Sequence, residues 1–66
     1  MQIQVNGHLH DIASPISIAQ LLVNLDMAGK RVAIELNHSI IPKSQHSETV
    51  LKEGDVIEVI QAIAGG

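Results

Sequence analysis

The chain has 66 residues, of which 45% are hydrophobic and none is aromatic or cysteine, and its formal net charge at pH 7 is −3. This length predicts one domain, and its core must be built from aliphatic side chains. The lack of cysteine excludes a disulfide scaffold and a thiolate metal site. It also excludes any mechanism in which this chain carries a chemical group on a cysteine of its own. The negative charge disfavours binding to nucleic acid or to an anionic membrane.

The N-terminal region gives an expectation about location. It has no basic region followed by an apolar run, so we expect no signal peptide. No apolar run approaches the roughly 20 residues that a membrane span requires. We therefore expect a cytoplasmic protein without a membrane partner.

The first residues of the chain predict a β-hairpin. Apolar residues alternate with glutamines up to Val5, which is the pattern of a half-buried strand. Asn6-Gly7 then gives the strongest short hairpin signal, so we expect the second strand over residues 8–12. A two-residue turn places His10 beside Ile3 and leaves the intervening Leu9 on the other face of the sheet.

The next segment predicts an amphipathic helix over residues 18–27. Ser17 is suited to the N-cap position, and Gln20 three residues later completes a capping box. We expect Ile16 to pack on the helix as a hydrophobic staple and Gly29 to terminate it. The spacing of the apolar residues matches one helix face: Ile18, Leu21, Leu22 and Leu25.

The second half of the chain predicts three more strands. The pattern favours strands over residues 32–36 and 40–41, the second of which is stopped by Pro42. A polar segment with one helical turn follows, and we expect both Val50 and Leu51 to anchor it in the core. The last predicted strand covers residues 56–63 and is rich in β-branched side chains.

This order of elements predicts an α+β fold with one sheet of about five strands and one helix across one face. The N-terminal and C-terminal strands are natural neighbours in the middle of such a sheet. The arrangement is the β-grasp, or ubiquitin-like, fold. We expect residues 1–63 to form the domain and residues 64–66 to form a flexible tail.

The last predicted strand also indicates a docking surface. If Ile57 and Val59 point to the helix, then Val56, Ile60 and Ala62 point to solvent. Scattered surface aliphatics are ordinary, but an apolar patch on a small domain favours partner docking.

No motif of an enzyme site is present in the sequence. We find no phosphate-binding glycine loop and no nucleophile elbow. His8 and His10 would share one face of a strand, but no cysteine or carboxylate cluster completes a metal site. A surface pair is the better interpretation, and we expect no bound cofactor. The sequence therefore predicts a non-catalytic partner protein.

The chain ends in Ala64-Gly65-Gly66, a thin segment that presents one functional group, the α-carboxylate of Gly66. Chain ends are usually disordered and carry no function. Here we interpret the carboxylate as the reactive group of the protein, because the tail has almost no side chain, is accessible and presents this one functional group.

Three segments make the sequence similar to the ThiS family, the ubiquitin-like sulfur carriers of thiamine biosynthesis. The resemblance covers essentially the whole chain, and the last of the three segments is the most specific. They are Met1 to Gly7, Val32 to Asn37 with Ile40-Ile41-Pro42, and Leu51 to Val59 followed by the terminal Gly65-Gly66. One difference is that several relatives carry an aromatic residue near His46 or in the last strand.

The resemblance implies a reaction cycle at Gly66. A ThiF-like adenylyltransferase would use ATP and Mg²⁺ to convert the carboxylate to an acyl-adenylate. A persulfide on another protein would supply sulfur, giving a thiocarboxylate. A ThiG-like thiazole synthase would take this sulfur into the thiazole ring. ATP would thus be a substrate of the partner and not a cofactor of this chain.

Two kinds of alternative remain at this point. A close one is the same chemistry in another pathway, as in the small subunit of molybdopterin synthase, or in a ubiquitin-like modifier that conjugates to lysines. A different one is a β-grasp interaction module whose C-terminal residues do not react.

Overall fold

The computed structural model describes residues 1–61, which form a five-stranded mixed sheet covered on one face by a single α-helix. The spatial order of the strands is β2-β1-β5-β3-β4, in which β1 and β5 are parallel and the other neighbours are antiparallel. The predicted β-grasp fold is confirmed, with the first and last strands adjacent at the centre. The elements are β1 (Gln2–Val5), β2 (His8–Asp11), α1 (Ile18–Asn24), β3 (Val32–Leu36), β4 (Ser39–Ile41), a 3₁₀ turn (Lys43–Gln45) and β5 (Val56–Gln61).

The core lies between α1 and the sheet and is entirely aliphatic. Its five most deeply buried side chains come from five different parts of the chain, namely three strands, the helix and the loop before β5. Each is at most 1% exposed, so the burial of these side chains joins all parts of the fold. They are Ile3, Ile18, Ile34, Leu51 and Ile57.

The β1–β2 hairpin has the register that its turn predicts. Ile3 lies opposite His10, and Leu9 is exposed on the other side of the sheet. Asn6 and Gly7 both have positive φ angles, of 50° and 83°. A two-residue turn with these angles matches the twist of the two strands, which explains why Asn-Gly is favoured here.

Two asparagine side chains form hydrogen bonds with the backbone of β5, one on each side of the strand. Asn6 Oδ1 accepts a hydrogen bond from the Val59 N–H at 2.7 Å, and Asn6 Nδ2 donates to the Val59 carbonyl at 3.2 Å. On the other side, Asn37 Oδ1 accepts from the Val56 N–H at 2.9 Å, and Asn37 Nδ2 donates to Asp55 Oδ1 at 3.1 Å. These bonds fix the path of β5 and therefore the point from which the chain continues beyond it.

The helix begins as predicted but ends three residues early. Ser17 caps it, since its hydroxyl accepts the Gln20 N–H at 3.1 Å. The reciprocal half of the capping box is absent, because the Gln20 amide instead donates to Asn24.

The predicted termination of the helix at Gly29 is wrong. Asp26 adopts a positive φ of 60° directly after the C-cap residue Leu25. The Met27 N–H then bonds to the Leu22 carbonyl at 2.8 Å and the Asp26 N–H to the Val23 carbonyl at 3.0 Å. This pair of bonds is a Schellman motif, which satisfies the last carbonyls of the helix without glycine.

The loop before β5 is held in place by one of its two central apolar residues. Leu51 is fully buried, whereas Val50 is 53% exposed, so the expectation that both anchor the loop is wrong for Val50. The Leu51 N–H donates to the Ile16 carbonyl at 2.8 Å. His46 in the same loop is also buried, and its Nε2 lies 3.0 Å from the Ile41 carbonyl. Since a carbonyl oxygen only accepts, this nitrogen is the donor.

Candidate docking site

The two faces of β5 are as the sequence predicts. Ile57 and Val59 are buried under α1, with exposures of 0% and 8%. On the opposite side Val56 is half-buried and Ile60 is 52% exposed. The other predicted site residues, Ala62, Ala64, Gly65 and Gly66, lie outside the described residues.

The side of the sheet that faces away from α1, here called the open face, carries several large apolar side chains. The strand register places Ala33 of β3 beside Ile60, and Ile40 of β4 beside Glu35. Ile40 is 71% exposed, and Leu9 on the other edge of the sheet is 69% exposed. Exposed aliphatics that share one sheet face, rather than being scattered, favour a docking surface.

Two carboxylates lie in the middle of the open face. Glu35 of β3 and Glu58 of β5 are direct cross-strand neighbours. Like charges in this position destabilise a sheet. In the described part of the chain, the ion pair that forms is between the N-terminal amine and Asp11, at 3.5 Å, so neither glutamate is neutralised by a cation there. A cationic group of a partner, flanked by apolar side chains, would complement this face.

The Glu35–Glu58 pair is not evident from the sequence. Each residue alone matches an ordinary solvated position on a strand, and the two are 23 residues apart in the chain. Their proximity depends on the antiparallel register of β3 against β5, which periodicity does not provide. The same register also pairs the neighbouring core residues Ile34 and Val59.

The residues considered for a metal site do not form one within residues 1–61. No group of three or more histidine, cysteine or carboxylate side chains in that range is placed to hold a metal ion. His8 lies opposite Val5, and His10 lies opposite Ile3. Over the same residues, no helix has the length and apolar character needed to cross a membrane.

Comparison with known proteins connects this architecture to a family. The family model described as the ThiS family matches residues 3–66. A protein of Pyropia yezoensis named as uncharacterized protein ycf40 is 39% identical over 66 residues, which cover all of this chain and 93% of the relative. The sulfur carrier protein ThiS of Escherichia coli is 33% identical, and the match covers 100% of both chains.

Two further matches extend the comparison. A thiazole synthase of Paramagnetospirillum magneticum is 30% identical over 66 residues, which are all of this chain but 20% of that protein. The crystal structure of the thiamine biosynthesis protein ThiS from Geobacter metallireducens superposes with a TM-score of 0.85 at 28% identity, with full coverage of both chains. The fold, the open face beside the last strand and these matches agree, and the chain belongs to the ThiS family, the ubiquitin-like sulfur carriers of thiamine biosynthesis.

Proposed function

We propose that the α-carboxylate of Gly66 is the group on which this chain carries sulfur, and that the chain acts as a protein co-substrate and not as an enzyme. The observation that supports this most directly is the position of β5. Asn6 and Asn37 hold this strand on both sides. One side of the strand forms part of the open face, and in sequence the strand is followed by the residues that lead to Gly65-Gly66. In this proposal residues 1–63 are the docking domain and residues 64–66 are the reactive tail.

The proposed chemistry explains the residue types at the end of the chain. A carboxylate is a poor electrophile, so a partner adenylyltransferase of the ThiF type would use ATP and Mg²⁺ to form an acyl-adenylate with release of pyrophosphate. The terminal sulfur of a protein persulfide would then attack the carbonyl carbon and displace AMP, which gives an acyl disulfide. A second thiol of the donor would cleave its S–S bond, leaving the thiocarboxylate on Gly66 and a disulfide on the donor. Gly66 has no side chain to hinder this attack, and Ala64 and Gly65 are small enough for a narrow channel.

The proposed acceptor of the sulfur is a thiazole synthase of the ThiG type. The support is the thiazole synthase of Paramagnetospirillum magneticum, of which a region equal to 20% of its length aligns with this entire chain. In that protein a region similar to the carrier is thus part of the same polypeptide as a thiazole synthase. For the present chain we propose that a thiazole synthase of this kind takes up the sulfur, and that the transfer occurs in the cytoplasm.

Docking in this proposal uses the open face. Val56 and Ile60 would lie against the partner while the tail enters its active site. Ala62, which follows Ile60 at the alternate position, is proposed to contact the partner as well. The Glu35–Glu58 pair would face a cationic group of that partner, which would remove the repulsion between the two carboxylates. Apolar contacts would then provide affinity, and the charges would provide orientation.

The test is the intact mass of the chain after incubation with ATP, Mg²⁺, a cognate adenylyltransferase and a sulfide source. We expect the mass to rise by the difference between one sulfur and one oxygen, located on the C-terminal peptide. No change in mass, with the same enzyme active on another carrier, would refute the proposed chemistry.

Two variants provide the matched controls for this experiment. Deletion of Gly66, or addition of one residue after it, should abolish the mass change. Both variants should keep the unfolding midpoint of the wild type, because the core residues identified among residues 1–61 lie at or before Val59. Activation that survived in either variant would show that the reaction occurs elsewhere in the chain.

A further inference from the structure

A cavity at one end of the sheet has a composition that the proposed chemistry does not explain. Its volume is about 490 Å³, which lies in the usual range of ligand-binding pockets. The apolar part of its lining comes from Leu22, Met27 and Val32, which are buried or half-buried. Ile60 also lines it, so the cavity is continuous with the open face.

The charged part of the lining contains three of the four cationic side chains of the protein. Lys30, Arg31 and Lys43 line the cavity and are exposed, which places their charged groups at its mouth. No aspartate or glutamate of residues 1–61 lines it. In a chain with a net charge of −3, this is a local concentration of positive charge.

The topology explains why these cations come together. Val32, the first residue of β3, pairs with Gln61, the last residue of β5, so Lys30 and Arg31 precede β3 at the end where β5 finishes. The strand β4 runs antiparallel to β3 and returns to the same end, where Lys43 follows it. Lys52 instead precedes β5, at the opposite end of the sheet. A six-residue strand separates the two ends by about 20 Å.

The lining does not have the features of a site for a small ligand. Such sites usually orient their ligand with a few well-placed polar groups. Here the buried polar side chain is His46, and its Nε2 is already bonded to the Ile41 carbonyl at 3.0 Å. Among residues 1–61 no buried side-chain nitrogen or oxygen lacks a hydrogen-bond partner. An apolar interior behind exposed cations is better matched to a protein segment.

We propose that this cavity receives an acidic segment of the partner adenylyltransferase, in which an apolar side chain enters between Leu22, Met27 and Val32 while neighbouring carboxylates pair with Lys30, Arg31 and Lys43. This inference rests on the proposed function, because the cavity adjoins the end of β5 that leads into the reactive tail. The partner thus presents negative charge around the entrance of its tail channel and a cation opposite Glu35 and Glu58. The two charge patterns together set one orientation of the carrier.

Two variants with the same net charge test this proposal. The double substitution Lys30→Gln and Arg31→Gln, and the single substitution Lys52→Glu, each lower the net charge of −3 by two units. We expect the first to raise the KM for the carrier in adenylation about five- to tenfold, with kcat unchanged, since two exposed ion pairs are lost. The second should leave KM within about twofold of wild type, because Lys52 is distant from the cavity by more than a Debye length.

The salt dependence gives an independent measurement. Raising the salt concentration from about 0.05 to about 0.5 M should weaken binding of the wild type and of Lys52→Glu more than that of the double variant. Equal effects of the two variants would mean that only the overall charge matters, and no effect of either would mean that the cations make no contact. Either result would overturn the proposal.

Direct binding separates this proposal from the proposed function. Calorimetric titration of each variant into the partner measures docking without any reaction at Gly66. If the wild-type carrier gains sulfur normally and the double variant binds the partner as tightly as wild type, the cavity contact alone is refuted. If the carrier docks through these cations but its mass never shows the gain of sulfur, the proposed chemistry alone is refuted.

A phosphate ligand is the remaining alternative for the cavity. Saturable binding of inorganic phosphate to the isolated chain, with amide shifts confined to residues 30–32, would identify such a ligand and overturn the proposal.

Discussion

Asn6 and Asn37 hold β5 from its two sides. Both adopt a positive φ of 50°, a conformation that asparagine tolerates better than most residues. Both also use the side-chain amide to bond the backbone of β5. The sequence predicts the turn at Asn6-Gly7, but not the bonds to Val59. That partner is 53 residues away, and local patterns carry no information about such a distance.

The first prediction concerns Asn6. Replacement by alanine should lower the free energy of unfolding by about 2–3 kcal/mol, because two hydrogen bonds to Val59 are lost and alanine is strained at this φ. Urea unfolding followed by far-ultraviolet circular dichroism measures the change. For a 66-residue domain, whose total stability is of the order of 3–10 kcal/mol, this is a large loss.

Two further variants of asparagine separate the causes. Asn6→Gly removes the same hydrogen bonds but relieves the strain, so it should cost about 1–2 kcal/mol less than Asn6→Ala. Asn24→Ala, at the exposed end of α1, should change stability by less than about 0.5 kcal/mol. If Asn6→Ala were no worse than Asn24→Ala, the two bonds would have no net value.

At the scale of elements, the sequence predicts the start of α1 better than its end. The start of α1 at Ser17 depends on a local cap, and it is confirmed. Its end depends on Asp26 adopting a left-handed conformation so that Met27 can pack back towards Leu22. That choice is made by packing at the core boundary, which a search for glycine does not detect.

The loop before β5 shows the same limit and gives the second prediction. Val50 and Leu51 are adjacent and both apolar, but Leu51 is fully buried and Val50 is 53% exposed. The hydrogen bond from the Leu51 N–H to the Ile16 carbonyl sets which of the two faces the core. Leu51→Ala should therefore cost about 2–5 kcal/mol, the range for truncation of a core leucine.

Val50→Ala is the matched control for this loop. It removes apolar atoms one residue away and should cost less than about 1 kcal/mol, because much of the side chain already contacts water. Chemical unfolding of both variants measures the difference in unfolding free energy. The comparison holds when that free energy has the same dependence on denaturant concentration in both variants. Similar losses in the two variants would contradict the observed burial and indicate that the loop rotates to bury either side chain.

At the scale of the whole molecule, the sequence predicts the fold and which side chains of β5 face away from α1, but not the charge pattern around them. The chemistry at Gly66 stays a prediction. Alternation along β5 is enough to place Ile60 on the open face. The charge pattern of that face arises from the pairing of β3 with β5, and the cationic cavity mouth arises from two connections that meet at one end of the sheet. Both are properties of strand order, which the sequence pattern leaves open.

The match to the ThiS family also narrows the alternatives that the sequence left open. A β-grasp fold and a Gly-Gly end are shared by carriers of several pathways, so neither one selects the thiamine branch. The match of the family model to residues 3–66 and the superposition on the Geobacter metallireducens ThiS protein favour that branch. The inert-module alternative predicts instead that the open face has no preferred partner among the enzymes of sulfur transfer.

The open face gives the last prediction, in which Ile60→Asp is compared with Val50→Asp. The two side chains have nearly the same exposure, 52% and 53%, but Ile60 lies on the open face and Val50 lies in the loop before β5, bridged to Ser17 at the start of α1. Each substitution should therefore have a similar and small effect on the urea midpoint. Ile60→Asp should reduce affinity for the adenylyltransferase at least tenfold, because the new carboxylate would be buried in an apolar contact with the partner.

Val50→Asp should leave that affinity unchanged, because Val50 lies outside both the open face and the cationic cavity. Calorimetric titration of both variants measures the difference. A partner whose affinity fell with Val50→Asp and not with Ile60→Asp would place the docking surface beside the start of α1, away from the open face.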